Sequence, residues 1–412
     1  MRISFIVFLF LFISCKNEVK KEDKISPKEI TENVQLISNP TTVNSSLPRL
    51  FSNGESLFLS YVTQRDSLST LYYSEYKSKN WQEPIAVSSG TDWFINWADF
   101  PVIAENKGTV LTSHLQKSAK GTYTYNVKLD LYNSEEESWK NDFLLHNDGT
   151  KSEHGFVSMI PNKKGFFVTW LDGRNTVGGG HENHDSHNEG GAMTLRAATV
   201  NFKGEISNDT ELDNSVCDCC GTSSAMTTNG PIVAYRDRSK EEIRDISVIR
   251  FENEEPTKSQ TIGNDNWEIP GCPVNGPSIA ALENSVAVGW FTAVGGEGKV
   301  QIAFSEDNGK NFGSSIRVDT KNATGRVEVE MISDKEAVII WMEPNGEEEV
   351  IKVRKIAVSG EVGAPIIVSK TSAERASGFP QTAKLGDKLF FAWTQTDSSK
   401  VVRTAQLDIK NL

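Results

Sequence analysis

Four of the five cysteines in this 412-residue chain stand where they could bind one metal ion together. Three of them lie within the tetrapeptide Cys217-Asp218-Cys219-Cys220, and the fourth is Cys272. A glycine-rich stretch upstream contains three of the six histidines, His181, His184 and His187. Thiolate sulfur and imidazole nitrogen are the ligands that zinc and copper prefer. The residues therefore suggest a zinc or copper site, provided that the fold brings the two stretches together.

The N-terminal segment is typical of an exported protein. Arg2 precedes an apolar run, Ile3 to Ile13, that is too short to cross a bilayer but suits the core of a signal peptide. Phe12-Ile13-Ser14-Cys15 resembles a bacterial lipobox. The resemblance implies that residues 1–15 are a lipoprotein signal and that a lipid on Cys15 anchors the protein in the bacterial cell envelope. A plain secretory signal is the alternative.

Residues 16–32 are charged and contain a proline without hydrophobic periodicity, which predicts a flexible tether. Residues 33–412 then form one domain. The anchor predicts an outer-membrane lipoprotein on the periplasmic or surface side. A net charge of -12 argues against a nucleic-acid partner.

If the protein is exported, its cysteines could form disulfides instead of binding a metal, because disulfides form in oxidising compartments. Without Cys15 the chain keeps an even number of cysteines. Cys272 could pair with Cys217 or a neighbour, or Cys219 with Cys220, and one bridge would still leave two thiols for a metal. A solvated loop is likewise the alternative for the histidine-rich stretch.

A repeat of roughly 50 residues runs through the domain. In each copy a short apolar strand ends on an aromatic residue or a histidine, at Tyr61, His114, Trp170, Tyr235, Trp290, Trp341 and Trp393. Flanking alternating strands bring each copy to four strands. This pattern predicts an all-β protein, a seven-bladed β-propeller of four-stranded antiparallel blades. Val34 to Ile37 has no blade of its own and is predicted to close the last one. We call the seven residues that end these strands the ring residues, and we expect them, His114 included, to pack in the core.

The repeat also predicts which loops share a face. Cys217 and Cys272 stand the same distance before the repeat aromatic in blades 4 and 5, and His154 and Cys219 are equivalent in blades 3 and 4. The histidine-rich stretch falls in a loop that opens on the same face. We therefore predict one metal site at the channel mouth, built from Cys217, Cys219, Cys220, Cys272, His154, His181, His184 and His187.

The segment from Ser305 to Phe312 resembles the Asp-box of sialidase-like (BNR-repeat) β-propellers. In that family the box is a self-capped turn with a structural role. Sialidases have six blades, so the resemblance implies a six-bladed fold as the alternative to seven. It also implies an exo-α-sialidase-type hydrolase acting on glycans, with an arginine triad, an acid and a tyrosine–glutamate pair.

The resemblance assigns Asp99 as the acid and Arg49, Arg326 and Arg375 as the carboxylate clamp. Leu47-Pro48-Arg49-Leu50 lacks the Arg-Ile-Pro order of the family, and no tyrosine outside the core is expected beside a glutamate. Other polar and aromatic residues near the same openings suggest a glycan or a small anionic ligand. These candidate ligand-binding residues are Trp93, Trp97, Arg236, Arg238 and Asn275.

The sequence therefore supports three hypotheses. The first is a lipid-anchored envelope propeller that binds a ligand at its top face through a copper or zinc site. The second is the sialidase-type glycoside hydrolase. The third is a structural scaffold held by disulfides.

Overall fold

The computed structural model describes residues 33–41, 44–176, 191–396 and 399–412. The predicted signal peptide, Cys15, the tether, and the histidines His181, His184 and His187 lie outside these residues. Within the described part, no helix is both long and apolar enough to cross a membrane.

In the part of the chain that the structure describes, thirty strands form seven antiparallel sheets. Strand β1 (Gln35–Ile37) is the outer strand of blade 7. Blade 1 contains β2 (Ser45–Ser52), β3 (Leu57–Arg65), β4 (Leu68–Lys77), β5 (Asn80–Trp81) and β6 (Ile85–Gly90). Blade 2 contains β7 (Ile103–Asn106), β8 (Thr109–Lys117), β9 (Tyr125–Asn133) and β10 (Ser138–Leu144). Blade 3 contains β11 (His154–Asn162), β12 (Gly165–Asp172), β13 (Thr194–Asn201) and β14 (Ile206–Asp213).

Blade 4 contains β15 (Ser223–Thr227), β16 (Gly230–Arg236), β17 (Ile246–Glu252), β18 (Glu255–Pro256) and β19 (Gln260–Ile262). Blade 5 contains β20 (Ser278–Leu282), β21 (Ser285–Thr292), β22 (Lys299–Ser305) and β23 (Ile316–Arg317). Blade 6 contains β24 (Gly325–Met331), β25 (Glu336–Asn345), β26 (Glu348–Ala357) and β27 (Ile366–Thr371). Blade 7 contains β28 (Gln381–Leu385), β29 (Lys388–Gln395) and β30 (Val401–Asp408) besides β1. Short 3-10 turns occupy Arg174–Thr176, Val294–Gly296, Arg375–Ser377 and Ile409–Asn411.

The two ends of the described chain meet in blade 7, which closes the ring. β1 pairs antiparallel with β30, with Leu36 opposite Ala405. The predicted closing strand is therefore confirmed, and so are seven blades in place of six. This pairing joins the two ends of the described chain in one blade, and a propeller leaves only short, protected sheet edges.

The ring residues pack in the core, as predicted. Trp170, Trp290 and Trp341 are fully buried, and the indole N–H of Trp170 donates to Asp172 at 2.8 Å. His114 is also buried, with Nδ1 3.0 Å from Asp130 and its ring stacked on Trp93. The ring residues therefore contribute packing contacts and hydrogen bonds within the blades.

The segment from Ser305 onward forms the self-capped turn that was expected between β22 and β23. The Asp307 carboxylate accepts the N–H of Asn311 at 2.8 Å, and the Ser305 hydroxyl accepts the N–H of Gly309 at 3.0 Å. Gly309 has φ +77°, the left-handed conformation that glycine adopts at low cost.

Adjacent blades are joined where inner strands begin with a bulge. Phe156 and Arg326 have φ +53° and +55°, and their N–H groups point at the preceding blade. Asp99 accepts the N–H of Phe156 at 2.7 Å, and Asn275 accepts that of Arg326 at 2.7 Å. Asp99 and Asn275 occupy the same repeat position, fifteen residues before the ring residue. They act as equivalent clamps between blades.

Candidate metal centre

A tight turn between β14 and β15 brings three cysteines together. Cys217 and Cys220 stand at its two ends, and their sulfur atoms are 3.3 Å apart. Ends of a four-residue turn lie close by construction, so the spacing itself creates this contact. The sulfur of Cys219 joins them, and all three sulfur atoms lie within 4.8 Å of one another.

The fourth cysteine arrives from the next blade. Cys272 lies in the loop between β19 and β20, and Arg244 joins the two loops. The Nη1 atom of Arg244 is 3.3 Å from the sulfur of Cys217 and 4.0 Å from that of Cys272. The four thiols are free in this structure. Cys217 and Cys220 are buried, Cys219 is half-buried and Cys272 is exposed, so the cluster is reachable from one side.

The absence of a side chain at Gly276 allows the two cysteine loops to touch at Gly221. A Cβ on Gly276 would stand 2.2 Å from the carbonyl oxygen of Gly221, whereas a Cβ on Gly221 would meet no atom within 4 Å. The backbones therefore approach at Gly276, a few residues after Cys272.

This asymmetry gives a matched pair of variants. Gly276→Ala should push the loop of Cys272 away from the other cysteines and lower metal affinity by about tenfold, in the range of changes just outside the ligands. Gly221→Ala should leave the affinity unchanged. Competitive titration with a chromophoric chelator measures both. Equal affinities in the two variants would show that the loop contact does not position Cys272.

Charged side chains surround the thiols. Arg244 is almost fully buried and donates to Glu242 at 2.7 Å, while Arg238 donates to the same carboxylate at 2.6 Å. Arg238 also lies 3.5 Å from Asp218 in the cysteine turn. These contacts fix Arg244 against Cys217.

Arg236 ties the two loops together through backbone carbonyls. It donates to the carbonyl of Arg244 at 2.6 Å and to those of Asn275 and Phe291 at 2.9 and 2.7 Å. Its guanidinium also lies 5.1 Å above the ring of Trp267. Arg236 and Asn275, expected to hold a ligand, thus support the loops around the cysteines.

The thiols differ in their readiness to ionise. Hydrogen bonds from Cys219, Cys220 and Cys272, together with the charge of Arg244, hold the pKa of Cys217 well below its ordinary value. Burial raises the pKa of Cys220 to about 12. Cys217 is therefore the thiolate of the group, and a cation would have to displace protons from the others.

The sulfur positions suit a thiophilic cation. Four sulfurs bound tetrahedrally to Zn²⁺ at about 2.3 Å stand about 3.8 Å apart. The 3.3 Å between Cys217 and Cys220 is close to that spacing and well beyond the ~2.05 Å of a disulfide bond. The sulfurs of Cys217, Cys219 and Cys220, all within 4.8 Å of one another, could therefore surround one ion, and Cys272 would have to move toward them.

His154, expected beside Cys219, lies in a different group. Its Nδ1 atom is 3.2 Å from the carbonyl of Tyr125 in blade 2, and its ring stacks on His146. The repeat position correctly put both residues at strand entrances. However, His154 starts β11 facing blade 2, whereas the cysteine turn closes on blade 5.

A central funnel opens beside the cysteines and encloses about 760 Å³, counting the solvent at its mouth. Arg49, Asp99, Cys219, Glu328 and Phe379 are among its lining residues. Arg49 does not project freely, because it donates to Glu328 at 3.1 Å and to Gln381 at 2.6 Å. Cys219 connects the cysteine cluster with the funnel.

The other two predicted arginines flank Trp97. The guanidinium of Arg326 lies 4.8 Å and that of Arg375 lies 5.9 Å from the Trp97 ring, which stacks on Phe379. Arg375 is exposed, but Arg326 is buried and donates to the carbonyl of Gly378 at 2.8 Å. Trp93, expected to stack on a sugar, packs on His114 instead.

Arg326 is expected to contribute mainly to stability, because it also donates to the hydroxyl of Ser377 at 2.7 Å and to the carbonyl of Ala373 at 3.1 Å. Arg326→Met should lower the free energy of unfolding by about 2 kcal/mol, the range for charged hydrogen bonds. Denaturant unfolding measures the loss, and Arg375→Met is the exposed control. Equal stability of both variants would contradict this role.

The sequence did not reveal one buried group of acids. The hydroxyl of Tyr125 donates to Glu153 at 2.6 Å and to Asp99 at 3.1 Å. Burial raises the pKa of Asp99 to about 7 and that of Glu153 to about 8. Tyr125 is itself a buried core residue, so this pair lies outside the expectation, which concerned tyrosines outside the core. The contact crosses from β9 to the loop before β11, and no spacing in the sequence indicates it.

The sequence and the structure of this chain were compared with those of known proteins, and the comparison informs on the fold. No model of a protein family matches the chain, and no curated protein matches its sequence. Among solved structures, polysaccharide lyase Uly1 is 8% identical with a TM-score of 0.54, covering 90% of this chain and 91% of its own.

Two further structures are similar over nearly the whole length. The α-L-arabinanase of Penicillium chrysogenum is 10% identical with a TM-score of 0.49, covering 92% of this chain and 97% of its own. The intramolecular trans-sialidase of Ruminococcus gnavus is 11% identical with a TM-score of 0.45, covering 89% and 95%. At such identities a likeness concerns the fold alone, and this chain is a seven-bladed β-propeller.

Proposed function

We propose that this protein is an envelope β-propeller that binds a thiophilic cation, Cu⁺ or Zn²⁺, through Cys217, Cys219, Cys220 and Cys272. One observation supports the proposal above the others: the thiols of Cys217, Cys219 and Cys220 lie within 4.8 Å of one another, and the buried Arg244 links Cys217 to the free Cys272 of the next blade. Soft thiolates select these metals over Mg²⁺ or Ca²⁺. Arg244 offsets part of the negative charge that several thiolates bring together.

The position of the cluster suggests how the metal would be used. Cys219 lines the funnel, and Cys272 is exposed. A bound cation would therefore be reachable by a ligand that enters at the top face, and it could exchange with solvent. This distinguishes the site from a closed structural zinc site.

The lipid anchor on Cys15 is part of the same proposal. It rests on the lipobox-like sequence that follows the apolar run. Metabolic labelling with a fatty acid in a bacterial host tests it, with Cys15→Ser as the comparison. Labelling of both proteins, or of neither, would contradict a lipid on Cys15.

The metal proposal is tested by purifying the protein without oxygen and measuring metal content and free thiols together. We expect Cys219→Ser to contain one equivalent of copper or zinc less than the wild-type protein. Metal-free protein in which the four cysteines are oxidised to two disulfides would overturn the proposal and support the scaffold hypothesis.

A sialidase-type hydrolase is the second candidate. The contact of Tyr125 with Glu153 beside Asp99 favours it, because the sialidase-like family uses a tyrosine–glutamate pair and an aspartate. Release of sugar from a sialoside, abolished by Asp99→Asn and by Tyr125→Phe, would support it. Activity that survives both changes would not arise from these residues.

A further inference from the structure

Two stacked histidines form a second polar group, separate from the cysteines. The rings of His146 and His154 are parallel within 6°, with centroids 3.6 Å apart. Both residues are buried, with relative exposures of 4% and 0%. His146 lies in the loop before β11, and His154 is the first residue of β11.

One nitrogen of each ring is fixed by its surroundings. His154 Nδ1 is 3.2 and 3.3 Å from the carbonyl oxygens of Tyr125 and Ser152, so it must carry a proton and donate. His146 Nδ1 is 2.7 Å from Asp148 Oδ2. In His154 the donated Nδ1–H leaves the Nε2 lone pair for a cation, as in metal-binding histidines. Asp148 Oδ2 faces both His146 Nδ1 and, at 3.2 Å, His154 Nε2.

The other nitrogens lack hydrogen bonds. Within the described part of the chain, neither His146 Nε2 nor His154 Nε2 has a hydrogen-bond partner, although both are buried. Leaving a buried polar atom without a hydrogen bond carries a free-energy cost. A bound cation would remove it.

Carboxylates supply the charge that such a cation needs. Asp148 Oδ2 is 3.2 Å from His154 Nε2, and Asp172 Oδ1 is 3.7 Å from it. Arg174 pairs with Asp172 at 2.7 Å but stays 3.7 Å from Asp148. One ligand atom each of His146, Asp148 and His154 lies within 4.8 Å of the others.

We propose that His146, Asp148 and His154 bind a divalent cation of borderline softness, such as Zn²⁺, at a site distinct from the cysteines. Two imidazoles and a carboxylate form a typical zinc ligand set and exclude a preference for Ca²⁺ or Mg²⁺. Asp172, paired with Arg174, lies 3.7 Å from His154 Nε2 and adds negative charge to the site. The protein then has two metal sites of different softness on neighbouring blades, one of sulfur and one of nitrogen and oxygen.

Cadmium-113 NMR of the full chain separates the two sites, because the cadmium shift distinguishes sulfur from nitrogen and oxygen ligands. With the metal alone we expect a resonance in the nitrogen and oxygen range. It should couple to the histidine nitrogens of ¹⁵N-histidine-labelled protein. His154→Asn should abolish this resonance and lower affinity at this site by more than 100-fold. Cys219→Ser should leave it unchanged, whatever happens to the sulfur resonance.

Two controls keep the result specific. The triple variant His181→Asn, His184→Asn and His187→Asn tests the histidine-rich loop, and His114→Asn tests the other buried histidine beside aspartates. Both should keep the nitrogen-coupled resonance. Loss of that resonance in the loop variant, or no nitrogen-coupled cadmium in wild-type protein, would overturn the proposal. The wild-type and loop-variant spectra decide it even if His154→Asn does not fold.

Discussion

Replacing Cys217 with serine is expected to lower the affinity for Zn²⁺ or Cu⁺ by more than about 100-fold, a greater loss than neighbouring changes cause. Cys217 contacts Cys220 at 3.3 Å and is the thiol against which Arg244 lies. Its pKa is held well below the ordinary value by the other thiols and this arginine. It is therefore the thiol of the group that most readily loses its proton to a cation.

Arg244→Met provides the comparison for this prediction. The substitution removes the guanidinium from beside Cys217 and Cys272 but leaves all four sulfurs, so we expect a loss of about 10–100-fold, typical of groups behind metal ligands. Isothermal titration or competition with a chelator under reducing conditions measures both variants. An unchanged affinity in Cys217→Ser would exclude this cysteine as a ligand.

The stability of the propeller is expected to fall as the pH rises from 5 to 8. Burial favours the neutral acids, raising the pKa of Asp99 to about 7 and that of Glu153 to about 8. The two acids contribute fully to the free energy of unfolding below the ordinary carboxyl pKa near 4. This contribution is lost as the pH rises through their pKa values in the folded protein. Each unit of pKa difference between the folded and unfolded states is worth ~1.4 kcal/mol, so we expect the free energy of unfolding to fall by several kcal/mol over this range.

The variants Asp99→Asn and Glu153→Gln, combined, should flatten this pH dependence. Amides resemble the protonated acids, and Asn275 already holds an N–H of the next blade from the same repeat position as Asp99. Urea unfolding at pH 5 and pH 8 measures the slope, with Asp66→Asn as an exposed control. A slope that persists in the double variant would show that other groups carry the pH dependence.

The sequence by itself determined the architecture. A propeller needs each blade to bury an aromatic column, so a repeat of Trp, Tyr and His at similar intervals is visible without coordinates. The closing strand was recognisable because Gln35–Ile37 had no blade of its own. The register also predicted that Cys217 and Cys272 come from equivalent positions in neighbouring blades. Backbone periodicity determines all of these features.

Only the tertiary structure decided which side chains meet. His154 and Cys219 share a repeat position, yet His154 faces Tyr125 in blade 2, while the cysteine turn contacts the loop of blade 5 at Gly276. His146 carries no sequence motif, but it stacks on His154. A bulge at a strand entrance redirects the side chains that follow, and contacts across blades join residues far apart in the chain. The sequence pattern determines on which face of the propeller a residue lies, and the local backbone determines which residue its side chain contacts.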